Sequence, residues 1–279
     1  MSARRRRILL PGRGFDPEWP LHNLPDLAAW YTFDDADYLF TDAGSTNVTA
    51  DGDKIYQCND RSGNGRHVIQ GTEADRPLWK TNIRANRAVG RFNPDASEED
   101  KLVDASPGAL LRDVAGATLI AVYVATNSPE NSWICRVVAD NLDNGDATRG
   151  ALKYDLTGNG SLVFGGSRLD TEAIERVESG NGILTNNIWG VHSARVDYTA
   201  QTVRLYYQSE LVKTEASFQS AGHTNDTDGT YLSIGGNYTG GSGLEGDLAE
   251  VIICGADIGY PRLKALWQRY LGPKWHLPI

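Results

Sequence analysis

Short apolar or alternating runs recur along the chain, each bounded by Gly, Asn or Asp. They are AAWYTF at 28–33, KIYQC at 54–58, ATLIAVYVAT at 117–126, WICRVVA at 133–139 and ALKYDL at 151–156, then SLVFGG at 161–166, WGVHSARVDY at 189–198, TVRLYYQ at 202–208, TYLSIGG at 230–236 and DLAEVII at 247–253. Runs of this length with turn sequences such as NLDNGD, LTGNGS and DYTAQT between them predict an all-β, antiparallel β-sandwich of a dozen or more strands. One segment breaks the pattern. In DIGYPRLKALWQRYLGPKW, Leu263, Leu266, Trp267, Tyr270 and Leu271 fall at helical spacing while Lys264, Gln268 and Arg269 take the opposite face. Pro261 suits a first turn and Gly272-Pro273 reads as the stop, so a short amphipathic C-terminal helix is expected to lay its apolar stripe on the sandwich.

Length and composition fit this class. The 279 residues hold 40% apolar side chains and no proline-rich or low-complexity linker, which favours one jelly-roll domain over 27–279 with an N-terminal extension over 1–26. Charge divides the chain in the same place. The net charge is -9, yet Arg4, Arg5, Arg6, Arg7 and Arg13 precede the first carboxylate, which leaves -14 on the rest. The apolar stretch after the arginines, Ile8-Leu9-Leu10, is stopped by Pro11-Gly12 and is too short for an export signal, which needs roughly 7 to 15 apolar residues. Synthesis in a cytoplasm is therefore expected. Cys58, Cys135 and Cys254 are far apart and have no C-x-x-C spacing, so they read as buried small hydrophobes.

The stretch GLEGDLAEVIICGADIGYPRLKALWQRYLGPKWHL at 243–277 resembles the closing element of concanavalin A-like, laminin-G-like jelly-roll proteins found among tailed-phage virion proteins. In those proteins a strand of the form G-x-(I/L)-A-E-(V/I)-(I/L) leads into a helix ending Y-L-x-x-K-W. The resemblance extends to LAAWYTFDD at 27–35, CNDRSGNGRHVIQ at 58–70, and RPLWKTN with RAVGRF within 76–92. This chain departs from the pattern at Cys58, where the family has tryptophan, and at Phe92-Asn93-Pro94, followed by the acidic insertion ASEEDK. Such loops border a ligand or a neighbour in the wider fold.

The candidate chemistry narrows the function. Glucanases of this fold carry E-x-D-x-E on one strand, so that alternate carboxylates flank the scissile bond. Here Glu98-x-Asp100 lacks a third member, and Glu172, Glu175 and Glu178 read as charge on an edge strand. There is no G-x-S-x-G, the five histidines are isolated, and SIGGNYTGGSGLEGD lacks the Lys-Ser or Lys-Thr of a phosphate loop. No catalytic role and no cofactor are expected. TNDTDG at 224–229 fails as an EF-hand loop, leaving Asp226 and Asp228 as candidate rim ligands for calcium. Tyr206 and Tyr207, adjacent on one strand, must point to opposite faces; one is expected in the core and the other is a candidate glycan or subunit contact. An acidic body disfavours nucleic acid, and no apolar run is long enough to span a membrane.

The resemblance implies a non-enzymatic virion structural protein, a capsid decoration or other particle-surface jelly roll made in the host bacterial cytoplasm. Arg4 to Arg7, Ile8, Leu9, Leu10 and Arg13 would anchor it to an acidic surface of capsid or tail subunits, and a homo-oligomer is expected. The alternative is a host-surface glycan-binding module on a phage tail or head fibre.

Overall fold

In the strand at 190–197, alternate side chains divide between two apolar layers. Ala194 and Val196 enter the cluster between the sheets, whereas Val191 belongs to a second cluster beneath the C-terminal helix. This is the period of two read from the sequence, used on both faces. The computed structural model describes residues 21–93, 100–126, 132–139, 148–155, 160–169, 171–237 and 243–279.

The described residues form β1 (Leu27–Thr32), β2 (Leu39–Phe40), β3 (Gln57–Cys58), β4 (Val68–Ile69), β5 (Leu78–Arg84), β6 (Arg87–Phe92), β7 (Leu102–Asp104), β8 (Gly116–Ala125) and β9 (Ser132–Val138). They continue with β10 (Thr148–Asp155), β11 (Ser161–Gly166), β12 (Glu175–Glu178), β13 (Gly190–Asp197), β14 (Thr202–Tyr207), β15 (Glu210–Glu215), β16 (Tyr231–Ile234) and β17 (Gly246–Cys254). The first sheet runs β15-β14-β13-β8-β17-β6-β5, with β1 also on β17, and the second runs β12-β11-β10-β9-β16-β7-β4-β3-β2. Every pairing is antiparallel, so the expected sandwich is the fold. Phe33 and Phe92 meet edge to face and Tyr123 stacks on Tyr154 within the core between the sheets. Gly235 is required there: its φ is 82°, and a Cβ would sit 2.1 Å from the Phe92 ring. All three cysteines are free and buried. Glu175 and Glu178 lie on β12, which ends the second sheet as the edge reading anticipated, whereas Glu172 precedes that strand and accepts from Leu169 N and the Ser220 hydroxyl.

Helix α1 runs farther than its sequence suggests. Tyr260–Leu266 is α-helical, Trp267–Leu271 forms a π turn, and Gly272–Trp275 resumes the α form. Gly272-Pro273 is therefore inside the helix and not its stop. The π turn explains this: Gly272 donates back five residues to the Trp267 carbonyl, so the bonding pattern has already shifted where proline, lacking an N–H, enters. The helix ends at His276, whose φ of 49° is left-handed. Trp267 and Trp275 are fully buried, and Leu21 and Leu24 join the same cluster, so the packed body reaches back at least to Leu21.

A buried polar network fastens this helix to the sheet. Glu250 of β17 accepts from Trp30 Nε1 at 2.7 Å, Tyr270 hydroxyl at 2.8 Å, Trp275 Nε1 at 2.9 Å and Lys274 Nζ at 3.0 Å. Lys274 also pairs with Asp34 at 2.9 Å, and Asp34 takes Arg87 Nη1 at 2.8 Å. Burial alone would raise the Asp34 carboxyl; the Lys274 ammonium, Thr32 hydroxyl and Arg87 guanidinium outweigh it and hold the group below its ordinary range. Two carboxylates and two cations thus balance, with Lys274, Asp34 and Glu250 buried and Arg87 partly open to water.

Candidate functional site

The sequence NDRSGNGRH at 59–67 folds around Asp60, whose carboxylate is buried and accepts from Trp30 N at 3.0 Å, Ser62 N at 2.8 Å, Ser62 Oγ at 2.7 Å and Arg66 N at 3.2 Å. His67 Nδ1 closes the turn by accepting from Asp60 N at 3.1 Å. A short acceptor ringed by backbone donors is how Asp organises tight loops. This loop presents Asn64 and Arg66 to an open groove of about 680 Å³ at one end of the sandwich.

The opposite wall is the 109–116 segment. Leu111 and Asp113 turn it with left-handed φ values of 56° and 49°, and Thr224 pins it by donating to Leu111 O at 2.8 Å and accepting from Val114 N at 3.0 Å. The floor and far rim come from Gly116, Asp197 and residues 255–257, where β8, β13 and β17 end. Gly116 lets the chains approach closely, since a Cβ would lie 2.7 Å from Val196 O.

Most polar groups of the groove are held in place by the fold. Arg66 donates through Nε to Pro107 O at 2.9 Å and through Nη1 to Ala28 O at 2.6 Å, which leaves its second terminal nitrogen without an acceptor among the described residues. Asn64 spends its amide N–H groups on Leu27 O, Ala28 O and Ser62 Oγ, and its carbonyl oxygen has no donor among the described residues. Asp113 meets His223 Nδ1 at 3.0 Å. Asp257 is committed to Arg195 by two contacts at 2.6 and 2.8 Å, and Asp197 accepts from Ala200 N at 2.8 Å. Asp26 carries a carboxylate with no side-chain partner among the described residues. Leu27, Ala28, Leu111, Val114 and Ala115 supply apolar surface between them. Such a lining offers acceptors, one directed donor group on Arg66 and short hydrophobic steps.

The residues singled out by sequence lie elsewhere. Tyr206 is 2% exposed, stacked on Tyr260 and tilted on Trp267 beneath the helix, so it is the core member of the pair and no platform. Tyr207 is half-buried and its ring lies over Gly190, where a Cβ would meet it at 2.4 Å; it borders a small recess with Tyr123 and Ile188, away from the groove. Asp226 and Asp228 converge on the Arg112 guanidinium at 3.3 and 2.8 Å, and among the described residues no three carboxylates, histidines or cysteines group as metal ligands. A cation already stands between the two expected calcium ligands. The anchoring residues Arg4, Arg5, Arg6, Arg7, Ile8, Leu9, Leu10 and Arg13 lie outside the described residues. Asn64 and Arg66 belong to a motif the sequence displays, whereas Asp26, Asp113, Asp197 and Asp257 are scattered and carry no sequence signal.

No protein-family model and no curated protein sequence matches this chain. Solved structures do resemble it. The binding domain of botulinum neurotoxin serotype G superposes with a TM-score of 0.57 at 10% identity, over 87% of this chain and 50% of that one. The binding domain of Paraclostridial Mosquitocidal Protein 1 gives 0.56 at 13% identity, over 87% and 52%. Domain 4 of AbnA, an extracellular arabinanase of Geobacillus stearothermophilus, solved with arabinotriose, gives 0.54 at 14% identity, over 87% and 98%. This chain spans about half the length of the two toxin structures and nearly all of the arabinanase domain. At these identities the likeness is one of fold alone, the two-sheet antiparallel β-sandwich. It carries no virion assignment.

Proposed function

We propose that this protein is a non-enzymatic glycan-binding module and that the groove between the 60–66 loop and the 109–116 segment receives the sugar. The observation that carries the reading is the groove itself: an open, sugar-sized space in which prefixed carboxylate, amide and guanidinium groups alternate with small apolar side chains. A sugar ring offers hydroxyls that both donate and accept, together with apolar C–H faces. Asp26, Asp113 and Asn64 match the donors, Arg66 matches an acceptor, and Leu27, Ala28 and Val114 suit the ring faces. Because the protein groups are held before binding, little side-chain freedom is lost when a ligand arrives. The fold's relatives support the reading, since one was solved with arabinotriose and two are toxin binding domains.

The test is a glycan array with the full chain, followed by titration of the best glycan. Saturable binding without turnover is expected. Ala115→Trp, which fills the groove from an exposed position, and Asp113→Asn, which keeps a residue type suited to the left-handed backbone there, are expected to weaken it at least tenfold while the melting midpoint stays within about 2 °C. Unchanged affinity in both folded variants would refute the groove as the site.

Display of the module on a particle is a separate part of the proposal, supported by the contrast between five arginines in residues 1–13 and a charge of -14 on the rest. Deleting residues 2–10 is expected to leave glycan binding intact and to abolish incorporation into particles. Normal occupancy of the truncated chain would remove the tether from the account.

A further inference from the structure

The charges that line the groove are unequal. Asp26, Asp113, Asp197 and Asp257 stand along it with a single lining cation, Arg66. Asp257 is cancelled by Arg195, which meets it through two nitrogens at 2.6 and 2.8 Å. Arg112, on the 109–116 wall, is itself held by Asp226 at 3.3 Å and Asp228 at 2.8 Å, so it brings no spare positive charge. Among the described residues the Asp113 carboxylate meets only the His223 ring, that of Asp197 only the Ala200 N–H, and that of Asp26 no side chain. Three carboxylates thus outnumber one guanidinium.

The hydrogen-bond inventory leans the same way, independently of charge. Arg66 spends Nε and Nη1 on Pro107 O and Ala28 O, which leaves one terminal nitrogen to donate. Asn64 spends its N–H groups on Leu27 O, Ala28 O and Ser62 Oγ and keeps its carbonyl oxygen as an open acceptor. The Asp26 carboxylate and the second oxygen of Asp113 are open acceptors too. Asp26, Asn64 and Asp113 are all exposed, so a ligand entering the groove reaches them. A lining with acceptors in excess suits a ligand that brings donors. A sugar hydroxyl brings one N–H or O–H equivalent and must itself accept; a protonated amine brings three N–H donors and accepts nothing.

We infer that the groove selects amino sugars, units that carry a free, protonated amine, over their neutral counterparts, and rejects carboxylated and sulfated ones. Asp26 is the specificity-determining residue, because its carboxylate has no side-chain partner to give up and forms a charge-assisted hydrogen bond with an arriving ammonium. Asp113 and Asp197 add to the attraction for a cation, and all three repel an anion. The inference rests on the glycan-binding reading of the groove and deepens it by naming a sugar class.

The experiment uses the full chain on an array that carries each oligosaccharide backbone in hydroxyl, amino, N-acetylamino and carboxylate forms, followed by titration of the best backbone in all four. The amino form is expected to bind at least fivefold more tightly than the hydroxyl form, the N-acetylamino form to lose that advantage, and the carboxylate form to bind most weakly. Raising the salt from about 0.05 M to about 0.5 M should shrink the amino-to-hydroxyl ratio, since exposed charges are screened. Asp26→Asn, which keeps the shape and a residue type suited to the left-handed backbone there, should lower that ratio at least threefold. Ala115→Trp should weaken the amino form along with the neutral one. If the amino form binds no more tightly than the hydroxyl form, if the ratio is the same in Asp26→Asn, or if amino-form binding ignores Ala115→Trp, this inference fails, while neutral-glycan binding sensitive to Ala115→Trp keeps the groove reading alive. Absence of binding to any form overturns both.

Discussion

Glu250→Ala is expected to destabilise the protein by roughly 3–5 kcal/mol, the cost of removing one partner from a buried ionic group and leaving the other charge uncompensated. Glu250 is 1% exposed and accepts four hydrogen bonds, three of them from α1. Its loss removes the Glu250 acceptor from the Trp30 and Trp275 indole N–H groups and leaves Lys274 balanced by Asp34, which Arg87 already shares. Glu250→Gln keeps the shape and part of the hydrogen bonding, and should cost less than Glu250→Ala. Urea midpoints of the three proteins measure the difference. A loss below about 1 kcal/mol in Glu250→Ala would show that the helix is held by apolar packing alone.

Acid is expected to weaken the fold through His192. This side chain is fully buried on the inner face of β13, between Tyr207 and Ala121 on the neighbouring strands, and neither ring nitrogen has a hydrogen-bond partner among the described residues. Burial pushes its pKa down to about 3, against an unfolded value near 6.5. The native state therefore holds the neutral ring while the unfolded chain takes up a proton as pH falls below about 6.5. Stability is complete above that pH and is lost progressively until about 3, at about 1.4 kcal/mol per pH unit, or roughly 3 kcal/mol by pH 4. Asp34 adds to the loss only lower down, because its depressed pKa confines its effect to pH values below the ordinary carboxylate range. His192→Phe should flatten stability between pH 7 and pH 4, whatever its effect at pH 7. An equal acid loss in the variant would assign the sensitivity to other groups.

The sequence made the long strands legible because each has an apolar face to bury. The runs at 117–126, 161–166, 189–198 and 247–253 agree with β8, β11, β13 and β17 to within a residue or so at either end. The unread β15, ELVKTE, sits at the edge of the first sheet with most of its side chains wet, so no burial imposed a pattern. Two-residue strands such as β2 and β4 are too short to show a period at all. The helix stop at Gly272-Pro273 misled because its π turn is a matter of hydrogen-bond register, which composition does not display. The resemblance placed Glu250 and the Tyr270, Lys274 and Trp275 positions in one motif, and the structure gives the reason: they meet as a single buried network.

The candidate sites were less legible for a physical reason. The groove gathers Asp26, Asn64, Asp113 and Asp257 from segments far apart in the chain, and each looks like an ordinary turn residue until the strand ends converge. Only the 60–66 loop carried a motif.

The most direct test of the central claim is residue-resolved mapping of a bound sugar: amide spectra of the full chain titrated with the tightest neutral glycan from the array. Shifts that saturate together and cluster on Asn64, Arg66, Asp113, Gly116 and Ala256 are the expected result. Shifts confined to other surfaces, or none at all with a glycan that the array shows to bind, would contradict it.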